Sequence, residues 1–233
     1  MSVPVVTIPL LHYPATESGW LIEGTTLMKF GITVRGWSKP ETLKNDGWKI
    51  AACPVNGPSV DARGSNLAVS WFTIAKDQPR VQARVSKNAG ETLTDPMIID
   101  LGRPMGRLET VLLETGSAAL LWMEMGQGEN IAGIYVRTMT QDGVLSPAAL
   151  IIESSQARAS GFPRAAVRGT DKLLLSYTEA GKTNQVKVLE VTLSQLIESR
   201  SIESAPTTQR LSSVRPTPEF CSASREDVGL SLQ

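Results

Sequence analysis

Histidine is nearly absent from this sequence: His12 is the only one in 233 residues. That scarcity excludes a histidine-rich metal site and a Ser-His-Asp engine in the body of the chain. Cysteine is scarce too. Cys53 and Cys221 have no thiol neighbour in sequence, so a zinc knuckle is excluded by count. The two thiols either stay free and buried or, in an oxidising compartment, form one disulfide. There is no surplus of charge, with 23 Lys+Arg against 23 Asp+Glu. A strongly basic face for gripping nucleic acid is not expected. No apolar run approaches the roughly 20 residues that cross a bilayer. The first 28 residues hold no Lys or Arg, and Pro4 and Pro9 break their apolar stretch. They do not read as a secretory signal, which leaves a cytoplasmic protein or a start further upstream. No metal or other cofactor is expected. Aromatics are few, five Trp, three Tyr and four Phe, so aliphatic side chains must fill most of the core.

What is present reads as strands. Leu67, Val69 and Trp71 alternate with Ala68, Ser70 and Phe72; Val81, Ala83 and Val85 alternate with Gln82, Arg84 and Ser86. That is the period of two of half-buried strands. Residues 110–113, 118–122 and 173–175 are apolar on both faces, as in sheets covered on both sides. Turn signals separate them at 63–66, 88–90, 115–116, 141–143 and 169–171. No long helix is expected before Thr192, after which Leu193, Leu196, Ile197 and Arg200 take helical spacing.

The spacing repeats. Ser70-Trp71, Leu121-Trp122 and Ser176-Tyr177 each end an apolar strand, 51 and 55 residues apart. Trp37/Pro40/Leu43, Leu93/Pro96/Ile99 and Val144/Pro147/Leu150 recur at 56 and 51 residues. Two independent marks with one period argue for units of about fifty residues, each a four-stranded antiparallel sheet, as in β-propeller blades. The alternative is a β-sandwich with coincidental spacing. Units are drawn at 57–102, 107–154 and 162–191, with 25–46 as the outer half of a preceding one. In domain terms, 1–24 is unassigned, 25–204 holds the blades, and 205–233, rich in Ser, Thr and Pro, is expected to be a disordered tail. Recurrence at the repeat spacing makes Trp71 and Trp122 packing residues rather than sugar platforms.

One loop is sharper than the rest: Ser86-Lys87-Asn88-Ala89-Gly90-Glu91-Thr92-Leu93. A short Asx side chain accepts nearby backbone N–H groups, and glycine takes a positive φ. The loop resembles the Asp-box, Ser-x-Asp-x-Gly-x-Thr-Trp, of the bacterial neuraminidase (BNR) repeats in sialidase-like propellers, with Asn88 for the usual Asp and Leu93 for the aromatic. Thr140-Gln141-Asp142-Gly143 is a more decayed version. Residues 46–50, 53–58, 102–107 and 160–164 are similar to landmarks of bacterial proteins of that family. The resemblance covers about 36–190. It implies an exported, six-bladed propeller with carbohydrate as the ligand class, in some members a glycoside hydrolase acting as an exo-α-sialidase. It also implies a periplasmic or extracellular location, although no signal peptide is read here. At about 50 residues per blade this sequence holds three to four, so the propeller is expected to be incomplete. Its unclosed blades are expected to promote self-association.

In such propellers the ligand face carries the entries to the innermost strands, and the Asp-box turns (Ser86, Asn88, Gly90, Thr92) lie on the opposite face as structural elements. The repeat offsets put Asn56, Arg107 and Phe162 at one level, and Pro58, Glu109 and Arg164 two residues on. Arg107 and Glu109 are expected to project together toward the channel. The proposed ligand-binding set is Arg107, Glu109, Arg164 and Asn56, since arginine binds a carboxylate bidentately; the alternative is a set of structural ion pairs. A retaining sialidase also needs a tyrosine nucleophile. Tyr13 lies outside the blades, Tyr177 takes the packing position of Trp71 and Trp122, and Tyr135 is away from the channel. No complete catalytic set is assembled from the sequence. The functional expectation is therefore a glycan-recognising propeller, with an active exo-sialidase or a protein-interaction scaffold as alternatives.

Overall fold

The computed structural model describes residues 43–48 and 55–195 in full; of the remainder it describes only the backbones of short strands within 5–50. Cys53, Cys221, His12, Tyr13 and the 205–233 tail lie outside the described residues. Strands β1 to β8 occupy Val5–Pro9, Ala15–Thr16, Gly19–Trp20, Ile22–Glu23, Leu27–Thr33, Gly36–Trp37, Glu41–Lys44 and Lys49–Ile50. β5 pairs antiparallel with β1, β6 and β7. The N-terminal stretch without a repeat mark thus supplies a strand to the segment that follows it.

From residue 59 the chain makes three antiparallel meanders in succession. The first is β9 (Ser59–Arg63), β10 (Asn66–Thr73), β11 (Arg80–Ser86) and β12 (Met97–Ile98). The second is β13 (Pro104–Leu112), β14 (Ala118–Met125), β15 (Ile131–Met139) and β16 (Ala149–Ser155). The third has three strands, β17 (Arg164–Arg168), β18 (Lys172–Glu179) and β19 (Gln185–Thr192). The protein is all-β, and among the described residues these sheets do not close into a ring. Among the described residues, short 3-10 turns at 75–77 and 158–160 and a helical stretch at 193–195 complete the regular structure.

The sheets stack face to face because their middle strands are apolar on both sides. Ala118, Leu120 and Trp122 of β14 meet Ala68 and Phe72 of β10 and Val81, Ala83 and Val85 of β11. The opposite face of β14, with Ala119, Leu121 and Met123, meets Leu173, Leu175 and Tyr177 of β18. Each such large apolar side chain removed from water contributes about 1.5–3 kcal/mol. Trp71, Trp122 and Tyr177 occupy one structural position, each pointing back toward the preceding element; Trp71 lies against Leu43, Leu67 and Val69. Their recurrence in the sequence is the recurrence of that packing site. Trp122 also stacks on Tyr135 at 5.8 Å and carries the Arg137 guanidinium 5.6 Å from its ring centre.

Two expectations about coverage change. β10 is buried on both faces rather than one, because the segment around Leu43 covers its outer side. Residues 173–175 are buried on one face only: Leu173 and Leu175 are enclosed, while Leu174 is half-buried. It shares the outward face of the third sheet with Val186 and Val188, which are 75% and 67% exposed.

The loop between β11 and β12 is held as its composition requires. Ser86 Oγ accepts from the backbone N–H groups of Asn88 and Gly90 at 3.2 and 2.9 Å and donates to Asn88 Oδ1 at 2.9 Å. Asn88 Oδ1 also accepts the Thr92 N–H at 2.9 Å, and Gly90 takes φ 85°. The loop between β15 and β16 places Thr140-Gln141-Asp142-Gly143 at the matching site, where the Val144 N–H donates to Thr140 Oγ1 at 3.1 Å. Lys87 and Asp142 join the two loops across 2.5 Å. Trp122→Ala should destabilise the fold by about 3–5 kcal/mol, the usual cost of removing a buried aromatic. Urea denaturation followed by far-UV circular dichroism measures it.

Candidate functional site

The second and third sheets each begin with a strand, β13 or β17, that pairs on one edge only, leaving the other edge with unpaired N–H groups that need partners. Here the partners are side chains one repeat earlier. Ser59 Oγ accepts the Thr110 N–H at 2.9 Å, and Asp61 Oδ2 accepts the Leu112 N–H at 2.7 Å. Glu109 Oε1 accepts the Ala165 N–H at 3.3 Å. At the entry to β13, Asn56 Oδ1 accepts the Arg107 N–H at 2.9 Å while its Nδ2 donates to the Met105 carbonyl at 3.1 Å. Gly106, at φ 78°, passes so close beneath Asn56 that a Cβ there would lie 2.6 Å from its Cγ. Buried Ser70 and Thr110 hydroxyls add a 2.7 Å contact between the first two sheets.

The structure therefore brings the sequence-derived residues together in two pairs. Asn56 meets Arg107 through the backbone, and Arg164 Nη1 lies 3.1 Å from Glu109 Oε2. Arg107 and Glu109 do not project together as a regular strand requires. Register shifts interrupt β13 between Pro104 and Gly106 and between Gly106 and Glu109, and Arg107 sits at φ 54°. Such a bulge breaks the two-residue alternation of side chains. The Arg107 guanidinium is thereby spent on the chain entering the third sheet, with Nη1 and Nη2 each 3.2 Å from the Ala157 carbonyl and Nη2 3.5 Å from that of Gln156. Burial pushes its pKa below the ordinary arginine value, yet arginine remains charged at neutral pH.

β9, β13 and β17 line an open groove of about 430 Å³ whose charged groups are Asp61, Arg63, Glu109 and Arg164. Glu109 is its deepest ionisable group, with a side chain only 7% exposed. Arg164 stands over Oε2 out of hydrogen-bond alignment, so that oxygen has no hydrogen-bond partner. Burial raises the Glu109 pKa, opposed by the Ala165 N–H and by Arg164 and reinforced by Asp61. Asp61 and Arg63 escaped the sequence reading. Their signal was present in the Ser59-x-Asp61 alternation, which stands one repeat before the β13 strand it bonds to. A second buried carboxylate, Glu124, accepts from Trp122 Nε1 at 2.5 Å and from the Leu101 and Arg103 N–H groups. It ties the crossover between the first two sheets into the core.

Backbone strain gathers at one end of the sheets. Lys76, Asp77, Arg107 and Asn130 take positive φ of 54–60°, all in strand entries or in loops between second and third strands. Ala89, in the Asp-box-like loop, is at the other end. Strained non-glycine residues persist where surrounding structure holds them, often at binding sites. Tyr177 is buried between the second and third sheets. Among the described residues no group of three or more His, Cys, Asp or Glu is placed to hold a metal, and no helix is long and apolar enough to cross a membrane. No family model matches the chain, and no curated protein matches it.

Two outcomes follow from this geometry. Arg107→Ala should lower stability by about 1–2 kcal/mol through its lost hydrogen bonds, and Arg107→Gly by less, since glycine relieves the positive φ. Chemical denaturation distinguishes the two. Glu109, with its native pKa raised, gives up its proton at a higher pH in the folded state than in the unfolded chain. Its contribution to stability is full below the unfolded-state pKa and is lost as pH rises through the native one. The melting temperature of Glu109→Gln should therefore rise relative to that of the wild type as pH increases above about 4, where an ordinary glutamate ionises. Parallel melting curves by scanning fluorimetry would rule this out.

Proposed function

We propose that this chain forms blades of a sialidase-like β-propeller that recognises glycans through the groove along its innermost strands, without a complete hydrolytic set. The observation that carries the reading is the groove itself. The first strands of three successive sheets converge on it, with a buried carboxylate and an exposed guanidinium at its centre. Pockets with few, converging polar groups are where small ligands bind, and sugars present hydroxyls in the spacing such groups accept. Supporting it are the sheet order, the side-chain-to-backbone bonds at the repeat offset, and an Asp-box-like turn at the end of the sheets away from the strained entries. The resemblance places ligands at those entries.

Catalysis is not favoured among the described residues. Tyr177 is enclosed in the core, and Tyr135 is stacked against Trp122, so neither is available as a nucleophile. A glycan array and a fluorogenic sialoside assay test the two halves of the proposal. Binding without hydrolysis is the expected result. Hydrolysis at rates typical of enzymes would establish an exo-sialidase, and an array without any specific binding would remove the glycan reading and leave a protein-interaction scaffold.

A further inference from the structure

Within that glycan reading, on which it rests, the groove carries a preference opposite to the one its arginines suggest. A site for an acidic sugar needs guanidinium groups free to grip a carboxylate. Arg107 is committed to the carbonyls of Gln156 and Ala157, and Arg63 has Glu114 at 3.5 Å. Arg164 remains, and it lies against Glu109. The floor of the groove is acidic, with Glu109 deepest and Asp61 beside it along the adjacent strand. An incoming carboxylate would meet like charge at its closest approach.

The unmet need of the site is for a donor. Glu109 Oε2 is removed from water, and its partner is the Arg164 guanidinium, 3.1 Å away but out of hydrogen-bond alignment, so a better-aligned donor is favoured there. What stands over it is Arg164, whose side chain is 71% exposed and makes no other ion pair or side-chain hydrogen bond among the described residues. Rotation of that long side chain into solvent opens the oxygen to a ligand hydroxyl. Asp61 has less need of that hydroxyl, because both its oxygens already accept backbone N–H groups, those of Ala62 and Leu112.

We infer that the groove selects a neutral sugar, whose hydroxyl donates to Glu109 Oε2 when Arg164 swings aside, over a sialylated one. Arg164 is then a displaceable cover rather than a carboxylate clamp. The test is an array of matched neutral and sialylated glycans, followed by titration calorimetry of the strongest neutral binder and its sialylated counterpart on the full chain. Wild type should bind the neutral member more tightly. Glu109→Gln should weaken that binding about tenfold to a hundredfold, the scale of a hydrogen bond to a charged group, while scanning fluorimetry confirms that it folds. Arg164→Ala, on the surface, should bind the neutral sugar more tightly than wild type, because no cover then has to be displaced. Preference for the sialylated member, or loss of binding on Arg164→Ala, would overturn the inference while leaving glycan recognition intact. Binding of neither class would remove the glycan reading itself.

Discussion

The arrangement of this protein depends on how a strand edge without a neighbour is satisfied. β13 and β17 each pair with one strand only, and their outer N–H groups face the preceding sheet. They are bonded there by Ser59, Asp61 and Glu109, with Asn56 completing the set at the entry. An unpaired buried N–H costs about 1–3 kcal/mol, so these side chains decide how far apart successive sheets sit and in what register. The apolar interiors supply most of the stabilisation, but they are non-directional. It is the polar seam that aligns one first strand with the next, and the groove is that seam's open side.

Glu109 shows how the two roles meet. One of its oxygens belongs to the seam and the other faces the groove under Arg164. At the preceding junction the corresponding work is done by Ser59 and Asp61, and Val111, two residues beyond Glu109 as Asp61 is beyond Ser59, has no polar group to offer. The second junction is thus held by fewer bonds than the first and carries its charge less fully satisfied. A carboxylate partly used for structure is well placed for recognition, since its position is fixed before any ligand arrives.

Much of the sheet plan was legible in the sequence because it is periodic. Trp71, Trp122 and Tyr177 mark one packing site, and Asn56–Arg107 and Glu109–Arg164 are neighbours at the offsets those aromatics give. What the sequence concealed was local. Nothing in Met105-Gly106-Arg107-Leu108 announces that the arginine takes a left-handed conformation, because Gly106 alone predicts a turn or a bulge without fixing which residue is turned out. A rule of alternation therefore aimed Arg107 at the groove, where the bulge withdraws it. Asp61 was missed for the converse reason: it obeys alternation so well that it reads as an ordinary solvent-facing strand residue.

The stacking also governs how the molecule comes apart. The second sheet lies between two apolar interiors, whereas the outward face of the third, with Leu174, Val186 and Val188, is open among the described residues. Links between sheets are side-chain bonds and packing rather than ladder hydrogen bonds, so one sheet can separate from the next without breaking its own ladder. Such a chain behaves as a short row of coupled units, each able to open against its neighbour. Amide protection is then expected to be greatest along β14, which is enclosed on both faces. The Glu109–Arg164 contact sits on the boundary between the second and third sheets, so anything bridging those two strands resists their separation.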